Sequence, residues 1–190
     1  MEKRRPQGTE NLYGLLHAIK NHFQITFSYQ KFWEDEITKR ITEPYALKEF
    51  KNRWYIIVKD LKDGNVKTFA LDRLSELEIS KKHFQIPNDL NVNDYFKYCF
   101  GIITPDENKP KEIILSFEPI QGKYIKSLPL HTSQEVLKDN DEELIIKLNI
   151  FITHDFFMEL LSYGANMKVI KPASLINDIK KAYQNALKLY

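Results

Sequence analysis

The sequence predicts an α+β protein in two parts: a small antiparallel β-barrel behind one helix, then a ferredoxin-like α+β domain. Three observations predict it. Residues 24–82 hold about five short alternating runs joined by tight turns. Residues 104–110 place two prolines among charged residues and read as a linker. Beyond them the order becomes strand, helix, two strands, helix, strand, helix. The expected division is therefore 1–103, a linker at 104–110, and 111–190.

Thr9 is placed to cap a helix over residues 11–22, where Leu12, Leu15, Leu16, Ile19 and Phe23 form one apolar stripe. Residues 23–29 then alternate, with Ile25, Phe27 and Tyr29 on one face and Gln24, Thr26 and Ser28 on the other. Residues 31–39 are charged and read as a hairpin tip. Residues 40–47 form the next strand, in which Pro44 marks an edge or a bulge. Lys51-Asn52-Arg53 is a turn. Residues 54–59 put Trp54, Ile56 and Val58 on one face and Tyr55 and Ile57 on the other. Asp63-Gly64 is a tight turn, and strands over 67–71 and 74–79 follow. Closing these strands into a barrel removes exposed edges. Residues 94–100 read as a short helix after Asn91-Val92-Asn93.

Past the linker, residues 112–117 are a strand and 119–127 a helix. Strands at 133–137 and 144–152 flank the turn Asp139-Asn140-Asp141. A helix over 155–163 stops near Gly164, where a left-handed residue suits a helix end. Residues 167–170 are a strand. Pro172 opens a last helix to about residue 189, with Leu175, Ile179, Ala182, Ala186 and Leu189 on its apolar side.

The 190 residues are 43% hydrophobic, 28% charged and 13% aromatic, an ordinary globular profile. A net charge of +2 excludes a histone-like whole-chain nucleic-acid binder, though not a local basic pocket. Cys99 is the only cysteine, so no internal disulfide or cysteine-based zinc site is expected, and a reducing compartment suits the chain. No run approaches the ~20 apolar residues of a membrane span. The polar start, with Lys3, Arg4 and Arg5, is no secretory signal. The expectation is a cytoplasmic protein with no membrane partner.

Enzyme motifs are missing. His17, His22, His83, His131 and His154 form no HExxH pair, and GxSxG, P-loop and GxGxxG patterns do not occur. The acidic run 139–143 lacks EF-hand spacing. The chain is expected to be no enzyme and to use no cofactor or metal.

Three segments carry a resemblance. They are Ile25-Thr26-Phe27-Ser28-Tyr29; Arg40-Ile41-Thr42-Glu43-Pro44-Tyr45-Ala46-Leu47; and Arg53-Trp54-Tyr55-Ile56-Ile57-Val58-Lys59-Asp60, continued by Lys67-Thr68-Phe69-Ala70-Leu71-Asp72-Arg73-Leu74. Together they resemble the WYL domain, with Ile56 as the third letter of its Trp-Tyr-Leu strand. Phe100-Gly101-Ile102, Leu160-Leu161-Ser162-Tyr163-Gly164 and Val169-Ile170-Lys171-Pro172-Ala173-Ser174-Leu175 resemble the C-terminal extension that often follows it. The likeness covers roughly residues 10–190.

The resemblance implies an SH3- or Sm-like β-barrel with an aromatic and basic pocket in a bacterial transcription regulator. It implies a nucleic-acid fragment or nucleotide-like anion as ligand, DNA contact through a helix-turn-helix absent from this chain, and a homodimer. Residues 1–8 look as much like a cut or a linker as a natural start. The candidate ligand-binding residues are Tyr29, Arg40, Trp54, Tyr55, Lys67 and Arg73. Arg offers a fork for phosphate and a stacking face, and Tyr or Trp stacks a base. Each has a structural reading beside this one. Trp54 reads first as core, Lys67 as a solvated strand residue, and Arg73 as a partner of Asp72 or Glu76. The family commonly carries a basic residue where Ala70 stands, which weakens the anion site. The alternative is a ligand-free dimerisation or protein-interaction module. A concave arginine cluster with exposed Tyr would favour sensing, and the same residues buried in ion pairs would favour scaffolding.

Overall fold

The computed structural model describes residues 7–88, 90–105 and 109–190. The start of the linker-like N-terminus (1–6) and the middle of the expected linker (106–108) lie outside the described residues. The chain is α+β and divides into two compact units, Met1–Val92 and Asn93–Tyr190.

The first unit opens with a 3-10 turn, Thr9–Asn11, and then α1 (Leu12–Lys20). Thr9 caps neither: Gly8, at φ 82°, precedes the 3-10 turn, and Asn11 stands at the N-cap of α1. A Cβ at Gly8 would stand 2.2 Å from the Leu71 carbonyl oxygen, so both the left-handed backbone and the close approach require glycine. Leu15 and Ala18 of α1 are fully buried.

Five strands follow: β1 (Phe23–Gln30), β2 (Ile37–Phe50), β3 (Arg53–Asp60), β4 (Val66–Ala70) and β5 (Leu74–His83). They form one antiparallel sheet in the order β4-β3-β2-β1-β5. β2 lies inside the sheet, so Pro44 marks a bulge, where pairing with β3 shifts between Pro44 and Ala46. Lys51 and Asn52 both take left-handed φ, 50° and 61°, the two-residue turn whose twist matches a hairpin. Gly64, at φ 77°, serves the β3–β4 turn.

The expected barrel is not closed by backbone pairing. β4 and β5 are the sheet edges, and the connection between them is a 3-10 turn, Leu71–Arg73, not a ladder. The sheet still curls strongly. The Phe27 and Phe69 rings lie 5.2 Å apart, and the Ala70 N–H donates to the Tyr29 hydroxyl at 3.4 Å. Ile25, Phe27, Ile56, Val58, Leu71 and Leu15 fill the concave face.

Around the unit boundary, α2 (Val92–Tyr95) is shorter than expected. The second unit then holds β6 (Lys111–Phe117), α3 (Pro119–Ser127), β7 (Glu135–Asp139), β8 (Leu144–Ile150), α4 (His154–Ser162), β9 (Met167–Lys171) and α5 (Ala173–Leu187). Its antiparallel sheet has the order β7-β8-β6-β9. Phe156, Leu160, Leu175 and Ile179 from α4 and α5 pack with Leu115, Ile146 and Leu148. Gly164 takes φ 56° just past α4. Pro172 is the residue before α5 rather than its first residue, and Leu189 is exposed rather than packed. No described helix is long and apolar enough to cross a membrane.

Candidate functional site

Strand register decides which candidates meet. Phe27 pairs with Arg40, Ile25 with Thr42, Thr42 with Asp60, and Val58 with Lys67. Paired residues share a face, so Arg40, Thr42, Asp60 and Lys67 all stand on the concave face beside the apolar core.

There they form an ion network. The Asp60 side chain is fully buried and accepts from Arg40 Nη1 at 3.0 Å and Lys67 Nζ at 2.8 Å. Lys67 also reaches Asp63 at 2.5 Å. The Lys62 N–H donates to Asp60 at 3.0 Å, so the same carboxylate fixes the turn after β3. Burial pushes the Asp60 carboxyl up, but bonds from Lys67 and Lys62 and the Lys67 and Arg40 charges hold it below the usual carboxylate range. Burial likewise pulls the Lys67 amine down, while Asp60 and Asp63 hold it above its ordinary value. The Thr42 hydroxyl is fully buried beside them without a hydrogen-bond partner. Arg40 and Lys67 are thus already answered by carboxylates, the arrangement that favours scaffolding over an open anion site at these two positions.

Arg73 is placed differently. Its guanidinium carbon lies 5.4 Å from the Tyr29 ring and 5.0 Å from the Phe32 ring, between two aromatics. Asp72 pairs with it as an ion pair, Oδ1 lying 3.5 Å from Nε outside hydrogen-bond geometry, which is the structural reading of Arg73 as a partner of Asp72. Glu76 instead accepts from Ser28 at 2.7 Å. Asp72 pairs with Arg53 at 3.1 Å. The Tyr29 ring centre is 4.7 Å from Phe69, over which Arg40 sits at 5.9 Å. Tyr29 is itself 94% covered, and burial raises its hydroxyl pKa against the lowering pull of Arg73.

Tyr29, Arg40, Lys67 and Arg73 therefore gather around the Tyr29–Phe69 ring pair. Tyr55 does not join them: it faces the opposite side of β3 and is buried there. Trp54 is half-buried against the core at the far end of β3, six residues from Asp60, or about 20 Å along a strand. Ala70 is buried and contributes its backbone N–H. Asp60, Phe69 and Phe32 are parts of the site that the sequence reading passed over. For Phe32 the signal was available: an aromatic pair, Phe32-Trp33, inside a charged loop.

The second unit carries two open depressions. One, of about 450 Å³, is lined by Thr153, His154, Phe157, Asp178, Lys181 and Asn185. The other, of about 320 Å³, is lined by Ser116, Glu118, Glu142, Glu143, Asn166 and Lys168. Neither sets several cations against aromatic faces as the first unit does. Among the described residues no cluster of His, Cys, Asp or Glu could hold a metal ion.

This curled sheet with charged groups on its concave face, joined in sequence to an α+β unit, has recognised counterparts. The WYL-domain family model matches residues 10–79 and the WCX-domain model matches residues 109–187, so the chain carries a WYL domain followed by a WCX domain. Neither matched model is a helix-turn-helix. No curated protein matches the sequence. Among solved structures, a CRISPR Cas-related protein is 13% identical over 96% of this chain, with a TM-score of 0.57, which shows a shared fold. Proteasome accessory factor B/C of Arthrobacter aurescens is 18% identical over the whole chain, with a TM-score of 0.41. The chain spans 52% and 28% of the lengths of those two proteins.

Proposed function

We propose that this chain is the ligand-sensing part of a transcription regulator. It binds a nucleic-acid fragment or nucleotide-like anion against the concave, SH3- or Sm-like sheet of its first unit. The WYL-domain match supports a regulatory module. One observation carries the ligand class. Arg73 sits between Tyr29 and Phe32, and Asp72 meets its Nε only loosely, as an ion pair at 3.5 Å outside hydrogen-bond geometry. The Arg73 side chain keeps 18% of its surface exposed, so a phosphate can meet the guanidinium without breaking a tight ion pair. Asp60 and Asp63 hold Arg40 and Lys67 more tightly than Asp72 holds Arg73, so Arg73 leads and Arg40 serves mainly to hold Asp60.

Fluorescence anisotropy with short labelled single-stranded oligonucleotides tests this at two salt concentrations. Binding is expected to weaken with salt. Arg73→Ala should abolish it and Arg40→Ala should reduce it less. A wild-type protein that binds nothing at low ionic strength defeats the proposal.

A second reading rests on a separate observation. Ile120, Tyr124 and Leu128 follow one another at four-residue spacing along α3 and its end, and are 72%, 66% and 78% exposed. A stripe of this kind suits a two-fold contact with a second copy. Sedimentation should show a dimer that Tyr124→Lys converts to monomer. A wild type that is monomeric at every micromolar concentration removes this reading.

A further inference from the structure

The turn joining β1 to β2 breaks a local rule. Glu34 N–H donates to the Lys31 carbonyl at 3.2 Å, which puts Phe32 and Trp33 at the two corners. Turn corners favour Gly, Pro, Asn, Asp and Ser, which set the needed φ or bond the backbone. Here two large aromatics stand there, 71% and 74% exposed. Leaving that much apolar surface in water gives up burial energy, and such departures mark functional places.

The turn is also braced. Lys31 pairs with Glu34 at 2.8 Å, and the Gln30 amide donates to the carbonyls of Glu34 and Asp35 at 3.4 and 3.5 Å. The aromatics are therefore held out by a fixed scaffold. Behind Phe32, 5.0 Å from its ring, is the Arg73 guanidinium, paired only loosely with Asp72 at 3.5 Å. A planar apolar face beside a loosely paired cation matches one nucleotide unit, with the base on the ring and the phosphate on the guanidinium. Glu34 is occupied by Lys31, but Asp35 and Glu36 repel phosphate, so a bound strand runs on the Arg73 side of the turn.

We infer that Phe32 and Trp33 form a nucleobase-stacking platform, which makes the ligand a base-bearing single strand rather than a bare anion. This rests on the reading of Arg73 given above, and the test separates the two. The probes are a short oligothymidylate, an abasic oligonucleotide of equal length, and pyrophosphate. Tryptophan emission is followed in the wild type and in Trp33→Phe, and affinities are measured for Phe32→Ala and Trp33→Ala. Oligothymidylate should quench the wild type and leave Trp33→Phe unquenched. Each alanine variant should lose roughly tenfold in oligothymidylate affinity, as expected for one stacked base, while its affinity for the abasic strand stays unchanged. Circular dichroism should be identical throughout, because both side chains are exposed.

Equal binding of thymidylate and abasic strands without quenching overturns the platform and leaves the Arg73 site standing. No binding of any probe by the wild type overturns both. If Phe32→Ala or Trp33→Ala changes only the sedimentation behaviour, the turn is a protein contact and the platform is overturned.

Discussion

The two units cover one face of a sheet in contrasting ways. In the second, Ile113, Leu115, Ile146, Leu148, Phe156 and Leu160 meet with no buried charge among them. In the first, the same apolar layer ends at Asp60, the one charged residue that is buried among the described residues, beside a Thr42 hydroxyl with no partner. Taking a carboxylate out of water is expensive, and an apolar replacement of similar shape is often no less stable. A core that needs only stability resembles the second unit. The first departs from that pattern where Arg40 and Lys67 meet Asp60 on its concave face, the face against which we propose the ligand binds.

The largest expected effects test this contrast directly. Asp60→Ala removes the acceptor shared by Arg40, Lys67 and the Lys62 N–H. Breaking a buried pair on one side costs about 3–5 kcal/mol. Phe156→Ala, a fully buried ring in the second unit, costs about 3–5 kcal/mol through its cavity. Hydrogen exchange read by peptide should show protection lost in residues 37–60 for the first variant and in 111–117 and 144–150 for the second. If either change unprotects both units, they unfold as one, and the contrast is cosmetic.

A smaller effect is expected at Gly122 on α3. A Cβ there would lie 2.7 Å from the Leu144 Cβ. Gly122→Ala gains helix propensity but must push α3 off β8, and overpacking of this kind costs about 1–3 kcal/mol. Thermal melting of the second unit checks it. An unchanged or raised Tm would show that this apolar core is looser than its contacts indicate.

The charged network should also respond to pH in a way the apolar core cannot. The folded Asp60 carboxyl lies below its unfolded value, near about 3.9. Its contribution is therefore full above that value and is lost as pH falls through the folded one. Lys67 gives the opposite window: its raised amine contributes below the unfolded value, about 10.4, and loses that contribution as pH rises through the folded one. Asp60→Asn, which keeps the shape and an acceptor for Lys62, should flatten the acid limb of the first unit's Tm profile below the unfolded carboxyl value. An acid limb that survives the substitution would move the titrating group elsewhere.

Most elements of both units were legible because their signals are local. Alternation placed β1 and β3, Lys51-Asn52 and Asp63-Gly64 placed the turns, and Pro119 and Gly164 marked where helices start and stop. The site was legible only in part, because its logic depends on pairing distant residues. That Lys67 could meet Asp63 is visible from their spacing across one turn. That Arg40 is answered by Asp60, twenty residues away, follows from the pairing of Thr42 with Asp60, which composition does not reveal. Tyr55 shares a strand with Asp60 but faces the other side. Open edges were also invisible, since the connection between β4 and β5 is a 3-10 turn whose geometry no motif announces.

The smallest expected effect sharpens the contrast from the other side. The second unit has ion pairs too, but at its surface. Lys126 meets Asp139 at 2.6 Å with side chains 40% and 46% exposed. Water and salt screen such a pair, and fixing two long side chains uses up much of the attraction, so its worth lies within about 1 kcal/mol. Lys126→Met should shift the Tm of the second unit by a degree or two at most, and the shift should vanish in 1 M salt. The Asp60 network, closed to solvent on the carboxylate side, should keep most of its contribution at that ionic strength. If the two pairs lose stability to salt equally, Asp60 is more hydrated than its burial indicates, and the concave face is wet before any ligand arrives. A wet face would make the proposed ligand's task the displacement of water from Arg73 rather than competition with Asp72 in a dry site, and Arg73→Lys, which keeps the charge without the fork, would then bind nearly as well as the wild type.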